Sequence, residues 1–218
     1  LEVREQSKNK KVRFGTWNIC RGFYSKENEI RTALKDHNID VLFLQEVDIC
    51  DYSEHVLCVP DYMSFVHAGP KKRACILIRR KIFKNVCQIN CAEETPQIWL
   101  EVEEESGRKT TLANIYREWN PAKVTQSEFL TTLVREMETK SKGRLIIAGD
   151  FNLDPSRQND STYGSRKLCI EFIQQIDQCG LDRSSFGKTF RRTIQDKLVE
   201  SELDWVISNV QLNEKVTI

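Results

Sequence analysis

The sequence predicts a layered α/β domain, and three observations carry the prediction. Short apolar runs of strand length, DVLFLQE at 40–46 and RLIIAGD at 144–150, read as strands buried on both faces. Between such runs lie segments of helical spacing, among them Phe129, Leu130, Leu133, Val134 and Met137 on one face. Strict alternation in IWLEVEEE at 98–105, followed by SGRK at 106–109, reads as a hairpin turning into TTLANIY. Strands separated by helices, with hairpins between, exclude a helical bundle and a pure β sandwich.

The elements follow in order. Residues 12–19 read as a strand with Trp17 and Asn18 at its end, then Arg21 and Gly22 in a turn. A helix is expected next: Ser25 can cap it, Glu27 and Glu29 favour its positive end, Ile30, Ala33 and Leu34 form its apolar stripe, and Asn38 closes it. Residues 40–46 form a second buried strand delivering Gln45 and Glu46, and 110–116 form one delivering Asn114 and Tyr116. The helix carrying Phe129 to Met137 leads into the strand at 144–148, where Gly149 breaks the apolar pattern. Residues 166–179 read as a helix stopped by Gly180, and ELDWVIS at 202–208 as a late strand.

The 218 residues fit one domain, taken as 1–218, and its five prolines are scattered without a linker or repeat. Apolar runs such as VLFL at 41–44 are too short to span a bilayer, and the charged start LEVREQSKNKKVR has no signal-peptide core. The expectation is a soluble, intracellular, nuclear or cytoplasmic monomer without a membrane partner. Eight cysteines are expected to be reduced: Cys75 and Cys169 read as small core residues, and Cys87 and Cys91 lack the partners of a zinc site. Net charge is +1, yet 71–84 hold seven Lys/Arg and no acid while 93–105 hold six Glu and no base. That segregation suits a basic, phosphate-steering face, and equally two strands pairing opposite charges across a ladder.

Four strand ends carry similar equipment: Asn18, Glu46, Tyr116, and Asp150 with Asn152. Ligands of open α/β sheets sit beyond the carboxyl ends of strands, so polar groups gathered there are candidates for chemistry. Asp150 and Asn152 equally suit a plain Asx-turn, but one turn does not explain the recurrence at several buried strands. Carboxylate and amide oxygens suit a hard cation, and Mg²⁺ takes one or two carboxylates while keeping waters. Glu46 is the leading ligand candidate.

In this order the motifs TWNICRG, FLQEVD, NIYREWN, IAGDFNLD, KTF and SELDWVIS resemble the endonuclease/exonuclease/phosphatase superfamily, over residues 12–208. Within it the chain looks most like the apurinic-type endonuclease domains of non-LTR retrotransposons, which nick target DNA. The resemblance implies a four-layer α/β sandwich, two packed mixed sheets with helices outside. It implies Mg²⁺ dependence, with Mn²⁺ as the alternative ion, a duplex DNA partner, and a place in a longer polyprotein with a reverse transcriptase. Glu46 would bind the metal, with Asn18 helping to hold metal and phosphate. Tyr116 would donate to a phosphate oxygen, Asp150 would position or deprotonate the attacking water, and Asn152 would hold the phosphate. Thr189 and Ser201 match hydroxyl positions near the site, and Asp204 the acid that orients a catalytic histidine.

Three features depart from the pattern. The family's terminal Ser-Asp-His motif is absent before Ile218, and His37, His55 and His67 stand in other contexts, so the chain is expected to lack its last core strand and the catalytic histidine. Cys20 stands where repair enzymes of the superfamily place an acid, which argues against a housekeeping repair role. Arg117 follows Tyr116, where it can serve as a bidentate phosphate donor or as a surface residue bonded to Glu118 or Asp154. Further DNA contacts are expected from Arg21, Arg157, Arg166, Lys188, Arg191 and Arg192, with Phe186 and Phe190 interleaved for stacking or for the core. A phosphatase or RNA 3′-exonuclease of the same fold, and a catalytically silent nucleic-acid-binding remnant, are the competing readings.

Overall fold

The computed structural model describes residues 11–49, 58–69, 72–89, 95–118, 126–194 and 197–212. In chain order its elements are β1 (Phe14–Asn18), α1 (Glu27–Asp36), β2 (Val41–Ile49), β3 (Tyr62–Val66), β4 (Lys72–Arg79), β5 (Asn85–Ile89), β6 (Gln97–Glu103) and β7 (Lys109–Tyr116). There follow α2 (Gln126–Lys140), β8 (Arg144–Asp150), α3 (Arg166–Gln178), β9 (Asp182–Ser184), β10 (Phe190–Ile194), β11 (Lys197–Ser201) and β12 (Asp204–Ser208).

Two mixed sheets organise these strands. One has the order β1-β2-β4-β3 and the other β5-β6-β7-β8-β12-β9, while β10 and β11 pair only with each other. The parallel pairs are β1 with β2 and β7 with β8; the remaining pairings are antiparallel. Each parallel pair is joined through a helix, α1 or α2, as parallel strands require. Three apolar clusters then separate four layers. Val41, Phe43, Ile76 and Ile78 of the first sheet meet Ile98, Leu100, Leu112 and Ile146 of the second. Ile30 and Leu34 of α1 cover the outer face of the first sheet, against Leu42, Leu44 and Leu77. The five expected α2 residues, Phe129 to Met137, all turn inward and cover the second sheet with Cys169, Phe172 and Ile176 of α3. The alternation of apolar residues along each strand thus feeds two faces at once, and the fold is the four-layer α/β sandwich.

Several local expectations need correction. Ser25 does not cap α1: residues 23–26 form a 3-10 turn, and the Ser25 hydroxyl bonds the carbonyl of Gly22 instead. The charge-segregated segments do not form one ladder, since β4 and β6 lie in different sheets. Arg79 pairs with Asp40, Lys84 with Glu103, and Arg73 with Asp48 and Glu118, so acids from several elements neutralise the basic run. Cys75 and Cys169 are core residues, and burial pushes the Cys169 thiol up to about 11. Cys91, His55, Lys71 and residues 213–218 lie outside the described residues. Among those described, no strand flanks β1 on its outer side, and no helix is long and apolar enough to cross a membrane.

One glycine positions the site. Gly149 has φ 147°, and a Cβ there would lie 1.9 Å from the carbonyl oxygen of Ile115 on β7. Only glycine lets β8 run this close to β7 just before Asp150 leaves the sheet. Phe151 next turns inward, stacking on Trp205 at 5.0 Å and against Phe172 at 5.8 Å between ring centroids. Each such aromatic pair contributes about 0.5–1.5 kcal/mol beyond its buried area. The inward ring sends its neighbours Asp150 and Asn152 the other way, out of the core.

Candidate active site

The carboxyl ends of β1, β2, β7 and β8 converge at one rim of the sandwich. Asn18 joins the two sheets there: its Nδ2 donates to Glu46 Oε1 at 3.0 Å and to Asp150 Oδ2 at 2.7 Å. Tyr116 donates its hydroxyl proton to the same Glu46 oxygen at 3.1 Å. Asp150 Oδ1 accepts from the backbone N–H of Asn152 at 2.8 Å, so the Asx-turn is real and sits within the cluster. Asp204 lies directly across the ladder from Asp150. The structure therefore brings Asn18, Glu46, Tyr116, Asp150, Asn152 and Asp204 together.

Local backbone geometry explains the presentation of Glu46. The β2–β4 register shifts between Gln45 and Ile49, and Glu46 and Asp48 adopt left-handed φ values of 54° and 45°. Bulges re-aim side chains, and left-handed non-glycine residues store about 1–3 kcal/mol each where the surroundings impose them. Asn152, at φ 48°, tolerates that region better. One residue below, Gln45 and Asn114 turn into the sandwich: Gln45 Nε2 donates to Asn114 Oδ1 at 2.7 Å, and Asn114 Nδ2 to the carbonyls of Leu44 and Cys75 at 2.8 Å each. This buried network fixes the height of one sheet against the other, and hence the meeting of Asn18 with Asp150.

Crowded acids set the electrostatics. Burial, then Asp204, pushes the Asp150 carboxyl up to about 8, with Glu46 adding to the shift and the bonds from Asn152 and Asn18 opposing it. Burial raises Asp204 to about 6, and the Thr189 hydroxyl pulls it back. Burial and Glu46 likewise keep the Tyr116 hydroxyl protonated, hence a donor. Among the described residues, Asp204 Oδ1 is buried without a hydrogen-bond partner. Among the described residues no imidazole serves it: His37 follows α1, and His67 accepts from the N–H of Gly69.

The donors here are oxygens, the chemistry of a hard cation, and the acids' mutual repulsion is what such a cation relieves. Among the described residues no three His, Cys, Asp or Glu side chains form a closed metal cage. Glu46 suits an ion that keeps most of its waters, whereas Asn18 turns its donor Nδ2 to the acids and its Oδ1 accepts from the N–H of Cys20 at 2.9 Å. Both raised acids bind protons more tightly in the folded chain than in the unfolded one, where 3.8 is the ordinary value. The stability they permit is full below that value and is lost as pH rises through about 6 and then about 8. The melting temperature of metal-free protein should therefore fall from about pH 5 to about pH 8.5, and Mg²⁺ should stabilise more at the higher pH. Calorimetric scans across that range test this; a Mg²⁺ effect that ignores pH would contradict it.

Other expected residues fall elsewhere. Arg21 is exposed at the mouth, 4.0 Å from Glu46 and 3.7 Å from Asp48. Thr189 does not face open space: its Oγ accepts from the N–H groups of Leu203 and Asp204 at 3.1 Å each, which makes it a support for Asp204. Ser201 stands at the base of the β10–β11 hairpin, its carbonyl bonded to the N–H of Thr189. Arg192 is exposed on that hairpin with Phe190, Leu198 and Val199, and Arg191 pairs with Glu200. Phe186 is half-buried. Arg157 pairs with Asp160 at 2.7 Å and stacks on Tyr163, Arg166 donates to the carbonyl of Gln158, and Lys188 to the hydroxyl of Ser156. Arg117 is corrected outright: it is 1% exposed, bonded to neither Glu118 nor Asp154, and in no position to meet a phosphate directly.

One neighbour of the site escaped sequence reasoning. Arg73 on β4 lies 3.3 Å from Asp48 and 3.1 Å from Glu118, over the ring of Tyr116, with Nη1 3.5 Å from its hydroxyl. A guanidinium only donates, so the Tyr116 oxygen accepts from Arg73 and its proton turns to Glu46. A cation opening an otherwise apolar strand, RACILI, was the available signal. A groove of about 350 Å³ between α1 and Tyr62 opens at the other end of β2 and shares no residue with this cluster.

The Endonuclease/Exonuclease/phosphatase family profile matches residues 15–213, and the chain belongs to that family. A search of curated proteins finds no match. Among solved structures, the endonuclease domain of TRAS1, a telomere-specific non-LTR retrotransposon, is similar with 17% identity, TM-score 0.66, and coverage of 91% of this chain and 85% of that one. The AP endonuclease LMAP of Leishmania major shares 14% identity with TM-score 0.67, covering 96% and 84%. The mannosyl-6-phosphatase Bt3783 of Bacteroides thetaiotaomicron shares 14% with TM-score 0.59, covering 91% and 85%. At such identities the likeness shows the fold.

Proposed function

We propose that this chain is a Mg²⁺-dependent DNA endonuclease domain of retrotransposon type, with Mn²⁺ as the alternative ion. The observation that carries the reading is the single Asn18 amide bonded to both Glu46 and Asp150 across the two sheets. Hydrolysing a phosphodiester needs charge neutralised at the phosphoryl oxygens, a water held in line, and fixed donors for the developing charge. Glu46 would hold a divalent cation, with Asn18 bracing the carboxylate, and such a cation would supply the first of these. Asp150 holds or deprotonates the water, which its raised proton affinity suits. Tyr116, kept protonated, would donate to a phosphate oxygen, while the amides of Asn18 and Asn152, whose Nδ2 groups are engaged with Glu46, Asp150 and the Arg117 carbonyl, hold the two acids in place. Asp204, braced by Thr189, sets the charge beside Asp150.

DNA as substrate is supported by the titles of two similar folds, an endonuclease of a retrotransposon and an AP endonuclease. It is supported also by Arg21 at the mouth and by the β10–β11 hairpin, which exposes Arg192 with Phe190, Leu198 and Val199 beside Thr189. Charge and exposed aromatic surface together suit a nucleic-acid backbone and its bases. A parallel assay of supercoiled plasmid, oligo(A) and inositol phosphates with Mg²⁺ tests the substrate. Nicked plasmid as the main product is expected; faster release of phosphate from inositol phosphates or trimming of oligo(A) would replace the endonuclease reading.

A further inference from the structure

Arg117 is as buried as any core side chain, yet it sits one residue beyond Tyr116. Its bonds form a pattern. Three consecutive carbonyl oxygens accept from this one residue: Asp150 from its backbone N–H at 2.9 Å, Phe151 from Nε, and Asn152 from Nη2 at 2.7 Å. The exchange is reciprocal, because Asn152 Nδ2 donates to the Arg117 carbonyl at 2.7 Å. Nη1 donates to Gln126 at the start of α2, so the remaining arm is tied to the helix that covers this sheet. Asn152 meanwhile holds a left-handed φ of 48°, which an asparagine tolerates and the bonds from Arg117 keep in place.

Carbonyls of successive residues in an irregular turn have no ladder partner, and buried polar groups left unpaired are costly. A planar guanidinium with five donors satisfies two of them in one fixed fork, which an ammonium cannot. We infer that Arg117 is a positioning residue: its guanidinium sets the backbone of residues 151–152, its carbonyl holds the Asn152 carboxamide, and together these aim the Asp150 carboxylate at the reacting phosphate and its water. This rests on the proposed phosphodiester chemistry for its functional half, and on geometry alone for its structural half. Arg117 touches neither substrate nor metal; it acts through Asp150, with Asn152 as the link.

The test uses the 218-residue chain and the variants Arg117→Lys and Arg117→Met. Because the loss is one of aim, kcat for plasmid nicking should fall about 100-fold in Arg117→Lys. KM should stay within about threefold, since the exposed residues at the mouth and on the β10–β11 hairpin are untouched. The side-chain amide resonances of Asn152, followed in asparagine-labelled protein, should shift and exchange faster with solvent in both variants while resonances of Asn85 and Asn209 stay in place. Arg117→Met, which fills much of the space without any donor, should be at least as slow as the lysine variant. Parental kcat in Arg117→Lys, or unchanged Asn152 resonances, would overturn the inference. So would a loss of rate matched by unfolding and abolished on cooling. If the parent nicks no DNA, the functional reading fails, and the Asn152 resonances still decide whether Arg117 holds the turn.

Discussion

Asp150→Asn is expected to slow phosphodiester cleavage about 10²–10⁴-fold, the usual contribution of a positioned general base. The substitution keeps the shape of the side chain and the acceptor for the Asn152 N–H, so the turn after β8 should survive. What disappears is the charge, and with it the Oδ2 acceptor for Asn18 Nδ2, since an amide nitrogen would stand in its place. Asp150 lies against Asp204 and within reach of Glu46 through Asn18, and burial already makes it hold a proton to about 8. Such a group accepts a proton from water readily and releases it near neutral pH, which an amide cannot do. DNA affinity should stay within about threefold, because the exposed cations at the mouth and on the β10–β11 hairpin are unchanged. The variant should also melt higher without metal at about pH 8, since one buried charge is gone. Parental nicking by the variant would reduce Asp150 to a turn residue.

Glu46→Gln should weaken Mg²⁺ binding at least about tenfold and leave the fold nearly untouched. Glutamine can still accept from Asn18 in its own sheet and from Tyr116 in the other, so both hydrogen bonds persist while the formal charge is lost. The bulge that presents residue 46 depends on β2 and β4, not on this carboxylate. Calorimetric titration measures the affinity directly, and the fluorescence of half-buried Trp17, next to Asn18, offers a second readout. Equal Mg²⁺ affinity in parent and variant would remove Glu46 as the ligand.

Much of the scaffold could be read from the chain because β2 and β8, at the centre of the site, are buried on both faces. β1, β2, β7, β8 and β12 announce themselves as short hydrophobic runs, and α2 shows its buried face in five residues. The polar strand ends were legible for the same reason, since an acid or amide stands out after such a run. What the sequence withheld depends on distance along the chain. Asn18 and Asp150 are 132 residues apart and meet only because two sheets pack face to face. Arg73 finds its acids at positions 48 and 118, with nothing nearby in sequence to suggest either. Arg117 looked like a surface cation, because a basic side chain beside Glu118 offers no hint that a turn 34 residues away will supply carbonyls. Ser25 has the chemistry of a cap, but the chain tightens into a 3-10 turn and spends the hydroxyl there. The β10–β11 hairpin exposes cations and apolar side chains together, so periodicity gives it no buried face to signal.

The central claim is that the ends of β1, β2, β7 and β8 form one metal-dependent hydrolytic site. Its most direct test is conversion of supercoiled plasmid to open circle by the 218-residue chain, run with Mg²⁺, with a chelator, and with Asp150→Asn. The account predicts nicked circles with Mg²⁺ alone, and loss of product both on chelation and in the variant. Nicking that persists in chelator or in Asp150→Asn, or no Mg²⁺-dependent product from the parent, would contradict it.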